Sequence, residues 1–150
     1  MKKVLLMIGL VVAGYSINAQ DVVDSKSVPD KVSSALTQKY PDLRSGDIEW
    51  EKKGSHYKAE FTKDGQDYEV KFDNTGNWVS TEIELTEKDL PEKVRNGLNK
   101  SEYKSWKVKD VEKKEKPQGK TLYRIEVEKG EQEYDVYFDP EGTIVKKHKS

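Results

Sequence analysis

Tyr68-Glu69-Val70-Lys71-Phe72-Asp73-Asn74-Thr75-Gly76 reads as one strand running into one tight turn. It returns as Tyr134-Asp135-Val136-Tyr137-Phe138-Asp139-Pro140-Glu141-Gly142. In both stretches apolar and polar residues alternate, which marks a strand with one face in a core and one in water. Asp and Gly at the end are turn chemistry, Asp bonding its own backbone and Gly allowing positive φ. The repetition extends outward: Val28-Pro29-Asp30-Lys31-Val32 returns as Leu90-Pro91-Glu92-Lys93-Val94. The spacing is 62 at Pro29 and Pro91, 63 at Tyr40 and Tyr103, and 66 from Tyr57 and Tyr123 onward. A period of roughly sixty residues exceeds a solenoid unit, so the chain reads as two copies of one small module. The copies span 28–85 and 90–150, with 86–89 as linker and 20–27 as an N-terminal tail. Insertions should fall in loops, where extra length adds little closure entropy. The larger insertion, 113–120, is predicted as a solvated hairpin loop.

Each copy opens with a helix. Pro29 and Pro91 suit a helix start, and Asp30 or Glu92 complements the positive end of the dipole. Val32, Leu36 and Tyr40 recur at four-residue spacing, as do Val94 and Leu98, giving one apolar stripe. Strands follow at Ile48/Trp50, Tyr57/Ala59/Phe61, Tyr68/Val70/Phe72 and Val79/Thr81/Ile83/Leu85, each alternating with polar residues. Lys53-Gly54, Asp64-Gly65 and Asp73 to Gly76 supply the turns. The predicted class is α+β, each repeat being one helix on a four-stranded antiparallel meander. Whether the two sheets join stays open.

Met1-Lys2-Lys3, the apolar run from Val4 to Ala13 and Ile17-Asn18-Ala19 have the layout of a secretory signal peptide. Residues 1–19 are therefore expected to be removed after Ala19, leaving a periplasmic or secreted protein. The chain has no cysteine, so it has neither disulfides nor a lipidation site, and its stability must come from packing. Charged residues make up 37% of the chain and hydrophobic ones 33%. That balance approaches a disordered chain's, but the strict periodicity of the apolar residues overrules it. Lys and Arg total 27 against 28 Asp and Glu, and this sign-mixed balance argues against a nucleic-acid partner.

The helix start, the Tyr-x-Val-x-Phe-Asp-x-x-Gly hairpin and the export signal together resemble the PepSY-like proteins. These are also described as β-lactamase-inhibitor-like proteins and are common in the Bacteroidetes envelope. The resemblance covers nearly all of 28–150. It implies a tandem helix-plus-sheet architecture, similar to the secreted inhibitor that grips class A β-lactamases with its sheet surface.

No Gly-x-Ser-x-Gly, His-Glu-x-x-His or phosphate loop occurs, and the histidines are only His56 and His148. Little of an active site's chemistry is present, and a non-enzyme without cofactor is expected. Asp73-Asn74-Thr75-Gly76-Asn77 lacks the full acidic spacing of a calcium loop and reads as a turn. The alternation instead places unusual residues on the polar face. Trp78 and Tyr137 are expected to point away from the core, joined by Leu122 and Ile144, with His56, Lys58, Lys71 and Arg124 beside them. Trp, Tyr and Arg dominate binding hot spots. These residues are the candidate contacts for an envelope or extracellular protein, the three cations steering toward an acidic partner. Internal packing, with a bulge after the turn reversing Trp78, is the alternative. The expected protein is a monomeric binding module that is not inserted in the membrane, possession of hydrolase-inhibiting activity being its most specific form. A sensor or carrier of a small ligand or metal, and a structural protein pairing through sheet edges, are the other readings.

Overall fold

The computed structural model describes residues 21–150. The expected signal segment, 1–19, lies outside them. The described residues form an α+β fold, an antiparallel sheet of nine strands in sequential order with two helices. Its first half comprises α1 (Asp30–Lys39), β2 (Glu49–Lys53), β3 (His56–Lys63), β4 (Gln66–Asp73) and β5 (Trp78–Leu85). The second comprises α2 (Glu92–Lys100), β6 (Lys107–Lys116), β7 (Lys120–Lys129), β8 (Gln132–Phe138) and β9 (Ile144–Lys149). A two-residue strand, β1 (Val22–Val23), pairs with β2, so part of the expected N-terminal tail extends the sheet. The 86–89 linker is a single turn closed by Thr86 and Asp89, each binding the other's backbone N–H in a capping box.

Two apolar cores lie on one face of this sheet. Val32 and Leu36 of α1 pack on Trp50, Ala59, Phe61, Val70 and Phe72. Val94 and Leu98 of α2 pack on Val111, Ile125, Val127, Val136 and Phe138. Tyr40, at the end of α1, meets Phe61 edge-on at 5.1 Å, and Tyr103, after α2, meets Tyr134 of β8 at 5.9 Å. Each helix is thus held by its four-residue stripe and by an aromatic contact just past its last turn, worth about 1 kcal/mol beyond area burial.

The Lys-rich segment 113–120 is not the expected solvated loop. Residues 113–116 are strand, bonded on one side to β7 and on the other to β5, and only Pro117–Gly119 turn the chain. Ile83 pairs with Lys113 and Thr81 with Glu115, so this segment joins the two halves into one sheet. Apolar alternation fails here because Lys113 and Glu115 lie on the helix side at the gap between the two cores, where they pair with each other at 2.5 Å. Strand formation follows from backbone partners on both sides, which side-chain periodicity does not report.

Both C-terminal hairpins carry a β-bulge, and the bulges overturn two expected orientations. Lys71 pairs with Ser80 but Phe72 with Trp78, leaving Val79 as the extra residue. Trp78 therefore shares the helix-covered side with Phe72 instead of pointing away. Its Nε1–H donates to Thr81 Oγ1 at 3.0 Å, and the Lys39 ammonium lies 4.0 Å over its ring. In the second half Tyr137 pairs with Lys146 but Phe138 with Ile144, so Ile144 is likewise carried to the helix side.

Candidate functional site

Both helices cover the same face, and the opposite face carries neither. Alternation along each strand sets its composition, and the register sets its rows. One row runs Val22, Glu51, Lys58, Lys71 and Ser80 from β1 to β5. The next runs Glu49, Glu60, Glu69, Glu82, Lys114 and Leu122 from β2 to β7. A third joins Glu84, Glu112, Arg124, Tyr137 and Lys146 from β5 to β9. Like charges directly opposite each other disfavour a sheet, so the four adjacent glutamates need compensation.

Two cationic hubs supply part of it. Lys58 Nζ lies 2.9 Å from Glu51, 2.5 Å from Glu60 and 3.6 Å from Glu69. Arg124 meets Asp110 at 2.5 Å, Asp135 at 2.9 Å, Glu112 at 3.3 Å and Glu126 at 3.5 Å. Lys58 and Arg124 hold the same place in the two halves, as their neighbours Ala59 and Ile125 face Trp50 and Val111. Burial works against both cations, but the bound carboxylates outweigh it and hold each above its ordinary pKa. These positive charges are already matched inside the molecule. Each is placed as a paired cation of its own face. Lys71 makes no ion pair among the described residues, and it sits opposite Lys58.

Compensation is incomplete. Burial raises the Glu69 carboxyl, and the charges of Glu60, Glu82 and Glu51 add to the shift against the pull of Lys58. Burial likewise raises Glu112, with Glu82 adding to it. Glu126 shares a hydrogen bond with Glu133, and this, with burial and the neighbouring charge, lifts it to about 7. Glu49, Glu51 and Glu60 bring three oxygens within 4.8 Å of one another, a spacing that could hold a metal ion. The Lys58 ammonium already lies between two of them.

The remaining expected site residues divide cleanly. Tyr137 is on the open face, half-buried, stacked on His148 at 5.8 Å with Lys146 5.3 Å from its ring. His148 Nε2 lies 3.1 Å from Asp135, so Tyr137, His148, Asp135 and Arg124 form one connected patch. Leu122 is half-buried on the same face opposite Lys114, and His56 lies at its far corner opposite Lys53 and Asp73. Trp78 and Ile144 do not join them. The acidic rows were missed by the sequence reading, although same-face spacing of Glu49/Glu51 and Glu82/Glu84 was visible. Their convergence depends on register between strands.

The family described as "Putative beta-lactamase-inhibitor-like, PepSY-like" matches residues 16–66 and 55–146. The chain belongs to the PepSY-like family. A crystal structure described as a BLIP-like protein from Bacteroides fragilis is 34% identical, with a TM-score of 0.74 over 81% of this chain and 85% of the other. A DUF2874 family protein from Bacteroides ovatus is 26% identical, with a TM-score of 0.75 over 81% and 86%. A Bacteroides eggerthii structure described as "putative periplasmic proteins" is 27% identical, with a TM-score of 0.74 over 81% and 88%. No curated protein matches. Among the described residues of this PepSY-like protein, no helix is long and apolar enough to cross a membrane.

Proposed function

We propose that this PepSY-like protein is a non-enzymatic binding module of the cell envelope. In this reading residues 1–19 direct export, two copies of one helix-and-meander module form the body, and a protein partner is held on the open sheet face. Inhibition of a hydrolase of the peptidase or β-lactamase type is the most specific form. The observation that carries the proposal is the sheet face left uncovered by either helix. On it Tyr137, Leu122 and Arg124 are held in place by neighbours on β6, β8 and β9. A rigid, half-buried aromatic beside an ordered guanidinium is the composition of a binding hot spot. The description of the Bacteroides fragilis relative as BLIP-like points the same way.

The test is affinity capture from envelope extract with protein beginning at Gln20. A Leu122→Ala/Tyr137→Ala variant probes the open face, and Gln38→Ala/Lys100→Ala probes the outer helix surface. Binding should be lost with the first variant and kept with the second. A partner retained by a folded open-face variant would remove this face from consideration.

A further inference from the structure

We infer that the occupant of the open face is a cationic polypeptide segment, whose Lys or Arg side chains meet the glutamate row of β2 to β5 while Tyr137 and Leu122 take its apolar contacts. This rests on the proposed binding role and adds the partner's chemistry. The chain as a whole is almost neutral, with formal net charge −1. An acidic sheet face is therefore a segregation of charge, not a consequence of composition. The three rows hold seven glutamates against five cations, Lys58, Lys71, Lys114, Arg124 and Lys146, so the face carries more negative charge than positive.

The stoichiometry within the face gives the sign of the missing charge. One ammonium serves three carboxylates at Lys58, with Lys71 beside it making no ion pair among the described residues, and one guanidinium serves four at Arg124. Glu82 is met by Lys114, while Glu49 is solvent-exposed at the end of the row. Glutamates directly opposite one another on four successive strands repel wherever a cation does not lie between them. A cationic segment would relieve that repulsion, and Glu69 and Glu112, raised first by burial, are raised further by their acidic neighbours.

The extent of the surface favours a polypeptide over a small polycation. Strands lie about 4.8 Å apart, so the two hubs, four strands from each other, are about 19 Å apart across the sheet, and the two-row stagger adds to that. Small ligands favour concave, enclosed sites. Two depressions among the described residues lie off this face, one beside the β1–β2 edge at Asp24, Ser45 and Asp47, the other on the outer surface of α1 at Ser33 and Thr37.

Binding of a decalysine peptide, measured by calorimetry at 50 and 200 mM salt, tests the inference. The wild type should bind, with affinity falling as salt rises. Glu49→Gln/Glu69→Gln/Glu82→Gln should weaken binding at least tenfold. Asp30→Asn/Glu87→Gln/Glu92→Gln removes the same charge from the two helix starts and the linker turn and should change it less than twofold. Absence of binding at 50 mM salt, or equal weakening by both triple variants, overturns the inference. Spermine binding as tightly as decalysine overturns the choice of a polypeptide. If the capture experiment returns a partner dependent on Tyr137 while decalysine fails to bind, the open face remains the binding face and its cationic occupant is rejected.

Discussion

Gly76 lies directly against the backbone carbonyl of Lys31, so that a Cβ at Gly76 would stand 2.5 Å from that oxygen. The second half repeats the relationship, with a Cβ at Gly142 falling 2.1 Å from the Lys93 carbonyl. The last glycine of the Tyr-x-Val-x-Phe-Asp-x-x-Gly stretch is thus where the β-hairpin touches the first turn of its helix. Both glycines also have positive φ, 89° and 84°. The turn around each is drawn together by aspartate: Asp73 Oδ1 accepts from the Thr75 and Asn77 amides at 2.9 and 3.0 Å. Asp139 Oδ1 does the same for Glu141 and Thr143 at 3.0 and 2.9 Å. The calcium-like spelling of this turn is accounted for by those bonds.

Gly142→Ala should therefore cost roughly 2–4 kcal/mol, combining backbone strain with a clash against an immovable carbonyl. Gly130→Ala is the control, since it has positive φ but open space around it. It should cost about 1 kcal/mol. Urea denaturation of the two variants separates the terms, and equal losses would show that close approach to the helix contributes nothing.

Trp78→Ala should act on stability and not on recognition. The side chain packs against the first core and its indole N–H binds the buried Thr81 hydroxyl. A loss of about 3 kcal/mol is expected for an aromatic truncation of this kind. Tyr137→Ala, on the open face, should melt within a few degrees of the wild type. A Trp78→Ala protein of unchanged melting temperature would contradict the bulge that turns this residue inward.

Removing the guanidinium at Arg124 leaves Asp110, Glu112, Glu126 and Asp135 facing one another. Arg124→Met should destabilise by about 2 kcal/mol at neutral pH, after allowance for solvent screening. The loss should shrink as pH falls and these carboxylates take up protons. Thermal melts of variant and wild type at pH 7.5 and 4.5 provide the comparison, and a gap that widens in acid would refute the electrostatic account.

Opposite pKa shifts predict a stability maximum in mildly acidic solution. Hydrogen bonds from Thr75 and Asn77 hold Asp73 below its ordinary value. Its contribution is therefore full above the unfolded value near 3.9 and lost as pH falls through the folded one. Glu126 is raised to about 7. Its contribution is full below the unfolded value near 4.3 and disappears as pH rises through 7. Glu126→Gln should flatten the decline between pH 5 and 8, whereas Asp73→Asn should flatten only the acid limb. Melting temperatures across pH 3 to 8 check both signs.

The local elements were legible because each obeys a short-range rule. The stripe of Val32 and Leu36 repeats every helical turn, and Tyr68, Val70 and Phe72 alternate with the sheet's period, so helix and strand could be read residue by residue. Lys113 to Lys116 could not. Their strand state depends on backbone partners on β5 and β7, and their side chains fill the gap between two cores. Trp78 and Ile144 were misplaced for a related reason. One extra residue after a turn reverses every subsequent side chain, and alternation carries no mark of where that residue is inserted.

Of the open face, Tyr137, Leu122, Lys58, Lys71, Arg124 and His56 could be placed from alternation alone, because facing out is a property of one strand. What those residues do there was decided by tertiary structure. Register across strands set Lys58 among three carboxylates and Arg124 among four, and turned scattered glutamates into a row. The sequence by itself determined the modules, their helices and strands, and their duplication, since these follow from periods of two and 3.6 along a single chain. Only the folded sheet decided that the modules share one continuous face and that its exposed side is acidic. Charge depends on which residues become neighbours, and in a sheet most neighbours are distant in the chain.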